Sequence, residues 1–130
     1  MEWDARVNLA LAYIEDNLCH TIDEKDIAHI TLCPVGILQR FFVLNYGATL
    51  TEYIRRRRIS KAASEILHTR TRLVDIANKY GYDSSESLCV VFKRYFGIAP
   101  STARNNNVDL KLYPRISFTL TVIYDDKENK

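Results

Sequence analysis

The chain has 130 residues, 47% of them hydrophobic and 26% charged, with a formal net charge of +2. That is enough apolar material for one compact core, or two small cores sharing an element. No run approaches the roughly 18 apolar residues of a membrane-spanning helix, and the acidic start Glu2-Trp3-Asp4 lacks the apolar stretch of a secretory signal. The charge is unevenly spread. Residues 1–26 carry seven acids against two bases, net −5; residues 27–107 carry twelve bases against five acids, net +7; residues 108–130 balance. A basic middle attracts phosphate backbones even when the total is near neutral.

In chain order, Trp3, Val7, Leu11, Ile14 and Leu18 recur at helical spacing and predict an amphipathic helix over residues 3–18. Thr21-Ile22-Asp23-Glu24 signals the start of a short helix bearing Ile27, Ala28 and Ile30. Cys33-Pro34 breaks the chain, and the next helix carries Leu38, Phe41, Phe42 and Tyr46 before Gly47 stops it. Residues 49–68 form the longest periodic stretch and contain the arginine run 55–58. A short helix at 72–80, a turn at Gly81 and a helix capped by Asp83 or Ser84 follow; this last helix ends at Gly97, ahead of Pro100.

An internal repeat runs through these elements. Ile27-Ala28, nine residues, Leu38, three residues, Phe42, three residues, Tyr46-Gly47 is echoed by Ile76-Ala77, ten residues, Leu88, three residues, Phe92, three residues, Phe96-Gly97. Each copy has the length of a helix-turn-helix. Residues 105–109 have the composition of a linker. Beyond them Ile116, Phe118, Leu120, Val122 and Tyr124 alternate with Ser117, Thr119, Thr121 and Ile123, a β-strand signal. A lone strand cannot satisfy its own backbone, so this segment is expected to pair with another copy, drape onto the helices or stay disordered.

Several pieces, in this order and spacing, resemble the AraC/XylS family across residues 5–104: Asp26-Ile27-Ala28, Leu38-Gln39-Arg40-Phe41-Phe42, Gly47, Glu52-Tyr53-Ile54-Arg55-Arg56-Arg57-Arg58-Ile59, Asp75-Ile76-Ala77 with Tyr80-Gly81-Tyr82, and Phe92-Lys93-Arg94-Tyr95-Phe96-Gly97-Ile98-Ala99-Pro100-Ser101. Lys111, Tyr113-Pro114-Arg115-Ile116-Ser117-Phe118 resembles the start of a GyrI-like ligand-binding domain. The expected fold is all-α, with two helix-turn-helix subdomains joined by a long central helix and a short C-terminal β segment. The first unit spans about 22–47, the linker helix about 49–67 and the second unit about 72–97. These make a DNA-binding domain over 1–107, and 108–130 would be a linker plus the first strand of a truncated effector-binding domain.

With Leu38 and Phe42 facing inward, Gly36, Gln39, Arg40 and Val43 point outward from the first reading helix. The resemblance assigns base contacts to Gln39 and Arg40; Gly36 occupies a position often aromatic or polar in the family. Gln pairs with adenine and Arg with guanine in the major groove. The corresponding positions of the second helix are Ser85, Glu86, Cys89 and Val90, a less polar and less basic set than the family's, with Lys93 and Arg94 behind them. Lys93, Arg94, Arg55 and Arg56 are the candidates for phosphate contacts, and Arg58 matches a family position expected to pack internally.

No catalytic constellation, metal-ligand spacing or cofactor motif is present. His20, His29 and His68 are scattered, and Cys19, Cys33 and Cys89 are expected to be small buried apolar residues in a reducing compartment. The expectation is a bacterial, cytoplasmic, nucleoid-associated transcription regulator. Its partners would be double-stranded DNA, RNA polymerase, a small-molecule effector acting through a domain beyond this chain, and a second copy through the C-terminal strand. The alternative is a helical protein-interaction module on the same scaffold.

Overall fold

The computed structural model describes residues 2–119. Among them lie seven helices: α1 (Trp3–Asp16), α2 (Glu24–Thr31), α3 (Val35–Tyr46), α4 (Leu50–His68), α5 (Leu73–Lys79), α6 (Ser85–Phe96) and α7 (Pro100–Asn105). Their boundaries follow local chemistry. Asp23 caps α2 by accepting the Lys25 N–H, Thr49 caps α4 by accepting from Glu52, and Ser84 caps α6 by accepting from Ser87. Gly47 and Gly97 end the two longer helices of the repeat at φ +88° and +80°, a conformation that favours glycine.

Two cores lie along α4. Val7, Ala10, Leu11, Ile14 and Leu18 meet Ile27, Leu38 and Phe42 in the first, and α4 adds Leu50 and Tyr53. Ile76, Ala77, Tyr80, Leu88, Phe92 and Ala103 form the second, to which α4 gives Ile59, Ala62, Ala63 and Ile66. The central helix therefore closes one unit with its first half and opens the other with its second. An arginine repeats this relation. Arg58 of α4 donates to Leu18 O (2.9 Å) and His20 O (3.3 Å) beyond the end of α1; Arg104 of α7 donates to Ile66 O (2.8 Å) and Thr71 O (2.7 Å) at the end of α4. Each guanidinium bonds carbonyls at or just beyond a helix C-terminus, where the dipole favours positive charge. Arg58 is thus half-buried, its guanidinium spent on backbone carbonyls within the fold while it also lines an open cleft. The helix α7 was not anticipated: six residues are too few to show a period.

The expected C-terminal β segment is not supported. Residues 108–119 contain no strand, and the remainder of the proposed strand, 120–124, lies outside the described residues. The alternation is nevertheless physical. Ile116 and Phe118 pack against the first core while Ser117 and Thr119 are exposed; Val108, Leu110 and Leu112 pack against the second. Side chains replace the missing neighbouring strand. Ser60 Oγ accepts from Tyr113 N–H (2.9 Å) and the Tyr53 hydroxyl from Ile116 N–H (3.3 Å). The Asn8 amide takes both groups of Phe118, accepting from its N–H and donating to its carbonyl, each at 2.8 Å. Of the three outcomes expected for this segment, draping onto the helices is the one observed over residues 108–119.

Candidate nucleic-acid interface

The outward residues of α3 lie where helical spacing put them. Gly36, Arg40 and Val43 are exposed, while Leu38 and Phe42 are buried. Gln39, on the edge of that face, is half-buried. Its Nε2 donates to Thr51 Oγ1 (2.8 Å), and its Oε1 accepts from the Thr51 N–H (3.3 Å). Ile37 (57% exposed) and Leu44 (84% exposed) extend this surface, making the first helix face markedly apolar around a single cation.

On α6, Glu86, Val90, Lys93 and Arg94 are exposed; Ser85 and Cys89 are half-buried. Burial pushes the Cys89 thiol up, with the Glu86 carboxylate adding to the shift, so the thiol stays uncharged. Aligning Leu38 with Leu88 sets Arg40 against Val90 and Val43 against Lys93. The two surfaces are built on one scaffold but carry different chemistry. Cys19, Cys33 and Cys89 are all half-buried free thiols.

The four consecutive arginines divide by helical phase. Arg55 points outward, its side chain 65% exposed and 3.9 Å from Glu52. Arg56 is drawn inward. It bonds Glu52 Oε2 (3.2 Å) and the Tyr46 hydroxyl (3.4 Å), and its guanidinium lies 5.0 Å from the centre of the Tyr113 ring. Arg57 is buried, paired through two nitrogens with Glu15 at 2.9 and 2.6 Å and donating to Tyr113 O at 2.5 Å. Burial alone would raise the Glu15 carboxyl, but the Arg57 hydrogen bonds and charge outweigh it and hold the group below its usual range. Arg55 is therefore the most exposed member of the run, and Arg56 is engaged within the fold.

A cleft of about 610 Å³ brings the two units to one border. Gln39 of α3, Thr51 and Arg55 of α4, and the Tyr80–Gly81 turn that precedes α6 all line it. The first turn of α4 holds both reading helices: Thr51 is bonded to Gln39 of α3, and Glu52 accepts from the Tyr95 hydroxyl of α6 at 2.7 Å. Burial, together with that bond to a carboxylate, pushes the Tyr95 phenol up to about 12. Sequence inspection missed Thr51, Glu15, Tyr95 and Tyr113. Only the Glu52–Arg56 pair had a visible signal, the i,i+4 spacing; the others join residues 12 to 56 positions apart.

A family model described as a helix-turn-helix domain matches residues 27–106. The transcriptional activator AarP of Providencia stuartii is 45% identical over 94 residues, covering 72% of this chain and 70% of that protein. An AraC-type regulator structure from Chromobacterium violaceum superposes with a TM-score of 0.73 at 21% identity, covering 79% of this chain and 92% of the other. The DNA-binding domain of AdpA, solved in complex with a target DNA, gives 0.69 at 18% identity over 78% and 91%. At such identities the structural likenesses speak for the fold. The matched family segment ends at residue 106, which leaves the resemblance of residues 111–118 to a GyrI-like domain without support.

Proposed function

The chain belongs to the AraC-type helix-turn-helix family, and from that premise we propose how it acts as a sequence-specific DNA-binding transcription regulator. Helices α3 and α6 enter successive major grooves on one side of a duplex, with α4 as the rigid spacer. The observation that carries this reading is that two repeated helix pairs pack on the one helix α4, and that α3 and α6 each keep an outward face exposed, Gly36, Arg40 and Val43 on one and Glu86, Val90, Lys93 and Arg94 on the other.

Arg40 supplies the strongest base contact, donating two bonds to guanine O6 and N7. Gly36 lets the backbone come close, Val43 meets thymine methyl groups, and Gln39 adds whatever its amide has left after Thr51. On α6, Glu86 accepts from cytosine N4 and Val90 meets a thymine methyl, while Ser85 and Cys89 sit at the edge and contribute shape. Lys93, Arg94 and Arg55 neutralise phosphates. Arg56 acts on binding only indirectly, by fixing Tyr46, Glu52 and Tyr113.

Selection from a randomised duplex library, followed by mobility-shift titration at two salt concentrations, tests this. The expected result is an enriched site of two unequal halves, with affinity falling steeply as salt rises, as several phosphate contacts require. Absence of retardation at low salt defeats it and favours the protein-interaction module.

A further inference from the structure

The amide of Gln39 presents the edge through which glutamine pairs with adenine: one N–H donor beside one carbonyl acceptor. That edge is already occupied. Nε2 donates to Thr51 Oγ1 at 2.8 Å and Oε1 accepts from Thr51 N–H at 3.3 Å. Both partners belong to one residue, so the two bonds use the same side of the amide. Thr51 is the second residue of α4, and its N–H is one of the first-turn donors that no carbonyl of its own helix can reach. Thr49 already serves Glu52 in that turn. Gln39 therefore completes the cap of α4 from another helix. Its remaining N–H and lone pair point to opposite sides and cannot grip a single base edge together.

We infer that Thr51 sets base specificity at the position facing Gln39 by latching the amide, so that the unaltered protein reads that base with shallow preference. The latch rests on the DNA-binding reading above and adds to it a residue that touches no base. Both side chains line the open cleft, so an approaching duplex reaches the amide in its latched state. Gripping adenine with two bonds requires Gln39 to leave Thr51 and strand a helix-start donor. Removing the hydroxyl weakens the latch and frees Nε2, whereas removing Gln39 discards the reader.

The test compares library selections for the unaltered chain, Thr51→Val, Thr51→Ser, Gln39→Ala and the double variant Thr51→Val/Gln39→Ala. Circular dichroism verifies folding, and Thr51→Ala replaces the valine variant if that one melts early. Thr51→Val is expected to sharpen the preference for adenine at one position by about tenfold. Thr51→Ser keeps the hydroxyl and should retain the shallow profile. Gln39→Ala should flatten the shallow preference that remains at that position, and the double variant should lose the sharpening. An unchanged or flatter preference in Thr51→Val, with binding intact, overturns the latch alone. Failure of every protein to bind at low salt overturns the latch and the regulatory reading together.

Discussion

Single residues carry several of the decisions in this molecule. Leu32 closes α2 in the left-handed region at φ +53°, where the repeat's second copy places Gly81 at +79°. A β-carbon there costs on the order of 1–2 kcal/mol, and the Leu32 side chain, 69% exposed, recovers little by burial. Leu32→Gly is therefore expected to stabilise the chain by about 0.5–1 kcal/mol, because relief of strain is partly offset by the freer unfolded chain. A rise in Tm of a few degrees in thermal denaturation checks it.

Glu15 and Arg57 form a pair with both side chains 9% exposed. Removing one partner leaves a buried charge, so Glu15→Gln should cost about 3 kcal/mol near neutral pH. The Glu15 carboxyl is held below its usual range in the fold. Its contribution is present above the unfolded carboxylate value of about 4.3 and is lost as pH falls through the lower folded value. Denaturant melts at a series of pH values should show the gap between Glu15→Gln and the unaltered chain closing below about pH 4. A gap that persists unchanged at pH 2 contradicts the pair's role. Arg40→Ala should alter which base is preferred in one half of the selected site; uniform weakening across all sequences means that Arg40 meets phosphate only.

At the scale of elements, caps and periodicity made most of the fold legible. The apolar stripes, Gly47 and Gly97 placed α3, α4 and α6 to within a residue or two, and the repeat paired α2–α3 with α5–α6. Three things escaped. The alternation at 116–119 has the period of a strand but is satisfied by Asn8 and Tyr53, which lie on helices 63 to 110 residues away. Helical phase showed that four arginines cannot share a face, yet it could not say which would find Glu15 or Tyr113. Gln39 carries the right chemistry for base reading, but its edge position beside Thr51 depends on how α3 meets α4. Ser84→Ala removes the α6 cap and should cost about 1 kcal/mol, with hydrogen exchange accelerating first at the start of α6.

For the whole molecule, the arm over 108–119 touches both cores and contributes a carbonyl to the buried Arg57. Ending the chain after Asn107 uncovers Phe41 and Phe42, which Phe118 meets at 5.0 and 5.4 Å between ring centres. It also takes Tyr113 away from Arg56. The shortened chain should melt several degrees lower, with increased dye binding to exposed apolar surface. An unchanged melt would mean that the arm is decoration.

The unbroken run of α4 through both cores has a further consequence for partner geometry. A regulator assembled from two tethered proteins gains its second contact at an effective concentration set by a flexible linker, and it tolerates changes in the distance between half-sites. Here no slack exists. On the proposed two-groove reading, seating α3 presents α6 at one place and phase, so an insertion of about five base pairs, half a turn of the duplex, is expected to turn the second groove away and leave the protein to bind by one module alone.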